Sequence, residues 1–229
     1  MTLVFAAAPT FTVPLADGSG EFPVRRIFCV GRNYVAHAVE MGGEVDREAP
    51  WYFTKTPVNG VRSGAVVPFP QGTENYHHEM ELAVYIGAEA FQTPVDQAHL
   101  AVFGFSCALD MTRRDRQQDG KDHRRPWDLG KDVENGSVLA PISREWNVTD
   151  TARIHLEVNG ETRQDATLAE LVWTVDEVIS HLSHYYRLQP GDVIMTGTPA
   201  GVGAVVAGDK ITGGIDGLPP IALTLSDPE

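Results

Sequence analysis

A sustained helical stripe appears in just one stretch of this 229-residue chain. In TVDEVISHLSHYYRL (174–188), apolar residues recur at Val175, Val178, Ile179, Leu182 and Tyr186, the spacing of one helix face. Thr174 and Glu177 stand at its start in the order of a capping box, and QPGD closes it. Most of the remainder reads as short β-branched and aromatic runs broken by Gly and Pro, such as RRIFCVG, WYFTKTP, AVVPFP and AVFGFSCALD. VNGETRQ adds Asn159-Gly160, a strong hairpin signal. Strands this numerous, with so few helices, argue against a doubly wound βαβ sheet, and the expected class is α+β, mostly β. Residues 1–24, broken at ADGSGE, read as an N-terminal extension, and 25–229 as a single domain with no internal linker.

The charge balance narrows the partners. With 18 basic against 31 acidic residues the formal charge is −13, so no electrostatic footprint for nucleic acid or anionic membrane is present. No apolar run has the length of a membrane span, and MTLVFAAAPTFTVPL lacks the basic start of a signal peptide. Cys29 and Cys107 each lie in an apolar run and read as buried free thiols, as expected of a cytoplasmic protein.

The chemistry-bearing stretch is YHHEMELAVYIG (76–87). Read as a strand, it puts Met80, Leu82, Val84 and Ile86 on one face and His77, Glu79, Glu81, Ala83 and Tyr85 on the other. Same-face neighbours lie about 6.8 Å apart, so two carboxylates can converge on one cation. Taken alone, the pattern reads as a solvated polar face. Asp110 closes the apolar run AVFGFSCAL, where an acid is unusual, and reads either as a helix cap or as a third carboxylate. Three such acids suit a hard divalent ion; no pattern of zinc ligands is present. In NYVAHAVEM (33–41), expected to be a helix capped by Asn33, His37 and Glu40 share a face, as a general base and its orienting carboxylate would. GGEVDREAP (42–50) has no apolar period and is a candidate lid, with residues 34–50 expected to order over a ligand. Three acids around a dication leave a net negative charge, so nearby cations matter. Arg32, Lys55, Arg113, Arg114 and Lys131 all lie close in sequence to the candidate acids, although each alone reads as a solvated charge.

Taken in order, GRNYVAHAVE, HHEMEL, LDMTRRDRQ, GKDV and TGTPAGVG resemble the fumarylacetoacetate hydrolase family over about residues 27–225. Within it the chain looks most like the bacterial fumarylpyruvate and acylpyruvate hydrolases. The resemblance implies a mixed-β roll, a homodimer and bound Mg²⁺ or Mn²⁺. It implies metal ligands at Glu79, Glu81 and Asp110, and catalytic residues at His37, Glu40 and Lys131. Substrate contacts are implied at Arg32, Arg114, Gln117 and Thr198. The implied reaction is hydrolysis of a 2,4-dioxo acid, fumarylpyruvate to fumarate and pyruvate in aromatic-compound degradation, with 25–229 as the catalytic domain. Alternatives are oxaloacetate decarboxylation, another lyase or isomerase reaction on the same scaffold, or a non-catalytic metal- or ligand-binding protein. The sequence departs from the family after Lys131, where Asp132 and Val133 stand in place of a small residue and phenylalanine. Whether Asp132 adds negative charge to the pocket is left open.

Overall fold

The computed structural model describes residues 3–40, 42 and 47–229. Two sheets dominate it. The larger has seven strands in the order Tyr52–Lys55, Arg26–Val30, Asp192–Met195, Met80–Ile86, Val102–Asp110, Ser137–Leu139 and Gly60–Arg62. The second has five: Glu161–Thr167, Arg153–Val158, Lys210–Ile215, Ile221–Ser226 and Ala65–Pro68. Most pairs are antiparallel, but among the described residues three strand pairs are parallel, including Asp192–Met195 beside Arg26–Val30, so the β structure is mixed as expected.

One apolar core lies between these sheets, with Leu82, Val84 and Leu109 from the first and Ile154, Ile211 and Leu223 from the second. A second core covers the other face of the seven-stranded sheet, where Tyr85, Ala108 and Val193 meet Val13 and Phe22. Those last two residues come from the hairpin Thr12–Pro14 and Glu21–Pro23. Strand Met80–Ile86 is therefore buried at every position. This corrects the solvated-face reading of its alternation. The central strand has a core on each side, and Glu79 and Glu81 lie buried at its start.

Among the described residues four α-helices punctuate the strands: α1 (Val35–Glu40), α2 (Arg114–Asp122), α3 (Asp128–Lys131) and α4 (Val175–Ser183). The capping box of Thr174 and Glu177 is formed at the start of α4. The helix ends sooner than its apolar stripe suggested. Tyr186 lies beyond it, packed against Phe28 with ring centroids 5.0 Å apart. Asn33 is not a helix cap. It is buried, donates to the carbonyls of Trp173 (3.0 Å) and Thr196 (2.8 Å), and accepts from the Trp173 amide (2.7 Å). Its amide thus ties three chain segments together and satisfies backbone groups that burial would otherwise strand.

Among the described residues no helix is long and apolar enough to cross a membrane.

Candidate active site

Antiparallel pairing of Met80–Ile86 with Val102–Asp110 brings the end of one strand beside the start of the other, where the Asp110 amide donates to the Glu79 carbonyl at 2.9 Å. Glu79, Glu81 and Asp110 each offer a carboxylate oxygen within 4.8 Å of the others, and all three are buried. Asp110 does not cap a helix.

Cations surround this cluster. Lys131 Nζ donates to Glu79 Oε2 (2.6 Å), Asp110 Oδ2 (2.7 Å) and Thr112 Oγ1 (2.9 Å). Lys55 Nζ donates to Asp110 Oδ1 (2.6 Å), and the Arg114 guanidinium to Glu79 Oε1 (2.5 Å) and Gln117 Oε1 (2.7 Å). Strand Tyr52–Lys55 lies four places from Val102–Asp110 in the sheet order. In a flat sheet that is about 19 Å, well beyond a lysine's reach, so the contact requires the sheet to curl, as a roll does.

The expectation of solvated lysines and arginines fails here for a physical reason. Lys55, Lys131 and Arg114 are buried because each neutralises a buried carboxylate. Three acids and three cations leave the cluster formally neutral, and a dication would make it positive, so an anionic substrate is not repelled. Arg113 behaves differently, its guanidinium reaching toward the Leu129 carbonyl at 3.4 Å and away from the acids.

Protonation follows from the same geometry. Burial opposes the Glu79 charge, but Lys131, Arg114 and His37 outweigh it and hold its pKa below the usual range. Glu81 goes the other way: burial and the charges of Asp110 and Glu79 push its pKa well up, despite a 2.7 Å hydrogen bond from the Gly197 amide. Burial also opposes the Lys131 charge, yet Asp110 and Glu79 raise its pKa. An all-oxygen donor set with one carboxyl short of positive charge fits a hard divalent ion such as Mg²⁺ or Mn²⁺.

The cleft above the acids holds about 390 Å³ including its open mouth. It brings together His37, Arg32, Arg114, Gln117, Lys131 and Thr198 with the three carboxylates. Glu40 stands behind His37, with Oε2 3.1 Å from Nδ1, and also accepts from the Gly201 amide at 3.1 Å. Burial lowers the His37 pKa, which keeps the ring neutral at pH 7. Within the proposed lid, 35–40 is α1, and Arg47 stacks on Trp173 at 4.8 Å and donates to Glu177 and the Val172 carbonyl. The rest of that expectation falls partly on residues 41 and 43–46, outside the described residues. Asp132 points away from the cleft. Its carboxylate accepts from Thr56 N (2.8 Å), Thr56 Oγ1 and Asn59 Nδ2 (2.8 Å), while Val133 is core.

Other residues were not singled out in the sequence. Gln164 accepts from the Met80 amide (2.9 Å) and donates to Thr198 Oγ1 (2.8 Å) and the Pro199 carbonyl (2.7 Å), fixing the TGTPAG loop. Trp51, Phe53 and Trp127 form an aromatic wall, with Trp51 and Trp127 edge to face at 4.9 Å. Two glycines make the cleft possible. A Cβ on Gly31 would lie 2.2 Å from the Trp51 ring, and one on Gly130 would lie 2.7 Å from the Gln117 amide nitrogen, blocking the α2–α3 contact that seats Lys131. Lys121 also faces the cleft. The signal for it was its spacing, four residues after Gln117 and seven after Arg114 on one helix.

A fold and site of this kind define a class. Residues 26–226 match the fumarylacetoacetate (FAA) hydrolase C-terminal family, and the chain belongs to that family. It is 51% identical over 192 residues to a fumarylpyruvate hydrolase of a Ralstonia species, covering 82% of this chain and 100% of that protein. It is 39% identical over 195 residues to the mitochondrial oxaloacetate tautomerase FAHD1 of Arabidopsis thaliana, covering 84% and 87%. The crystal structure of fumarylpyruvate hydrolase from Pseudomonas aeruginosa in complex with Mn²⁺ and pyruvate superposes with a TM-score of 0.94 at 38% identity, covering 99% of this chain and all of that one.

Proposed function

We propose that this protein is a metal-dependent hydrolase that cleaves a carbon–carbon bond of fumarylpyruvate, releasing fumarate and pyruvate. The observation that carries the reading is the His37–Glu40 pair placed over the same cleft as the buried cluster of Glu79, Glu81 and Asp110. The 51% identity to a fumarylpyruvate hydrolase supports a fumaryl acyl group, and the neighbour whose crystal structure holds Mn²⁺ and pyruvate supports a divalent metal and a pyruvate product. The reading carries with it Mg²⁺ or Mn²⁺ on the three acids, a homodimer, a cytoplasmic setting in aromatic-compound degradation, and 25–229 as the catalytic domain behind a 1–24 extension.

Glu79, Glu81 and Asp110 would hold the ion. When bound, it supplies positive charge against the negative charge that develops on the oxygens of the departing pyruvate end. Gln117 and the Thr198 hydroxyl, with Arg114 beside them, bind the pyruvate carboxylate. Lys131, clamped between Glu79 and Asp110, fixes one more positive charge beside the reacting oxygens. With Nδ1 committed to Glu40, the His37 Nε2 takes a proton from water, and the hydroxide adds to the carbonyl of the fumaryl side. Collapse breaks the bond from that carbonyl carbon to the methylene carbon, which keeps the electron pair. The proton held on His37 is then returned to that carbon, completing pyruvate.

A second reading, oxaloacetate tautomerisation, draws on the 39% identical relative and needs only the proton transfer by His37. A panel of fumarylpyruvate, acetylpyruvate and oxaloacetate with Mn²⁺ separates the two. The hydrolase reading expects fumarylpyruvate to lead acetylpyruvate in kcat/KM by at least about tenfold, the effect of one further charge-assisted contact. Action on oxaloacetate alone contradicts it.

A further inference from the structure

The cleft has two ends with different electrostatics. At the inner end every cation already has a carboxylate partner: Lys55 and Lys131 are bonded to Asp110, and Lys131 and Arg114 to Glu79. The outer end has two cations, Arg32 and Lys121, and among the described residues neither makes an ion pair. Lys121 instead lies over the Trp127 ring, 5.3 Å from its centroid. Arg32 holds a left-handed backbone conformation, φ 53°, directly after Gly31. Such a conformation is strained for a non-glycine residue, and it persists here where the chain turns into the cleft.

Helix α2 links the ends. Arg114, Gln117 and Lys121 all line the cleft, at positions that stack on one face. Arg114 is bound to Glu79, so the face begins at the acids and runs about 10 Å along the helix axis to Lys121. That is the length scale of an extended diacid laid along the helix. The wall beside this path is Trp51, Phe53 and Trp127, aromatic rings set at angles to one another that offer apolar contact to a conjugated chain.

Resting on the hydrolase reading above, we infer that Lys121, supported by Arg32, binds the far carboxylate of the acyl group and so determines specificity for dicarboxylate substrates. Burial, with Arg114 and Arg32 nearby, lowers the Lys121 pKa to about 8, which is what a lysine kept without a counter-ion beside other cations shows. An arriving carboxylate supplies that counter-ion. A substrate whose acyl tail is apolar leaves Lys121 unpaired and gains nothing from it.

The test is the ratio of kcat/KM for fumarylpyruvate over acetylpyruvate, measured with Mn²⁺ on wild type, Lys121→Met and Lys121→Arg. Lys121→Met is expected to lower the ratio at least about tenfold, chiefly through the KM for fumarylpyruvate, and Lys121→Arg to restore most of it. Titration of the Mn²⁺-loaded protein with fumarate supplies a second readout, and Lys121→Met should weaken that binding by a similar factor. An unchanged ratio, or an equal loss on both substrates with fumarate binding intact, overturns the assignment while the hydrolase reading stands. If wild type turns over neither acylpyruvate, the hydrolase reading falls and the assignment falls with it.

Discussion

Lys55 Nζ lies 2.6 Å from Asp110 Oδ1, and both side chains are fully buried. The pair joins the edge strand of the curled sheet to the strand end that carries the third acid. Removing the lysine would leave Asp110 with Lys131 alone and its Oδ1 without a partner in a dry site, which costs about 1–3 kcal/mol. Lys55→Met should therefore lower Tm in metal-free buffer. Because a dication can take over part of the lost charge, Mn²⁺ should raise Tm more in Lys55→Met than in wild type. Thermal melts with and without Mn²⁺ check this, and equal shifts in both proteins would contradict it.

His37 is expected to act on the reaction and not on the ion. His37→Ala should reduce kcat for fumarylpyruvate by roughly 10²–10⁴, the usual range for a general base, with Mn²⁺ affinity by titration unchanged. Glu40→Gln should act in the same direction and more weakly, since the glutamine oxygen can still accept from Nδ1–H although its NH2 group cannot accept from the Gly201 amide. Wild-type kcat in both variants would place the base elsewhere.

Gly31 tests the aromatic wall. A methyl group there meets the Trp51 ring at 2.2 Å, and a fused ring packed against Phe53 and Trp127 must shift to admit it. Gly31→Ala should displace Trp51 and lower kcat/KM by up to about 10²-fold, with a smaller effect on stability. Fluorescence of the indoles reports the displacement. Unchanged emission and activity would show that the ring moves without consequence.

The pH profile has a predicted sign on each limb. Burial lowers the His37 pKa below its ordinary 6.5, and the neutral ring is the active form. The acid limb of kcat/KM should therefore lie below pH 6.5, with activity rising as pH rises through it. Lys121 titrates near 8 and holds a carboxylate only when charged, so activity on fumarylpyruvate should fall as pH rises through about 8. The charged groups acting on it are Arg114, Arg32 and Lys131, against Glu79 alone. Lys121→Arg should move that fall to higher pH, and an unmoved alkaline limb would assign it to another group.

The sequence made the strands legible because β-branched runs between Gly and Pro breaks carry their own signal, and the acids legible because alternation aligns Glu79 with Glu81. Burial of those acids was not legible. A period of two looks the same whether the polar face meets water or a second core, and Tyr85 and Ala83 on that face were the only hint. Helix α2 escaped apolar periodicity for a related reason, since the residues it buries are Arg114, Gln117 and Gly120. Asn33 and Gln164 satisfy backbone groups of segments far away in the chain, and no local pattern announces such a role. Lys55 and Asp110 are 55 residues apart, and only the curl of the sheet brings them together.

The central claim is a metal-dependent cleavage at the three-acid cluster, and product stoichiometry with and without the ion tests it most directly. Fumarylpyruvate incubated with the Mn²⁺-loaded protein should give fumarate and pyruvate in equal amounts by proton NMR. The same protein stripped by chelator, and shown metal-free by elemental analysis, should give neither above background. Equal turnover by the stripped protein, or pyruvate release without fumarate, would contradict the account.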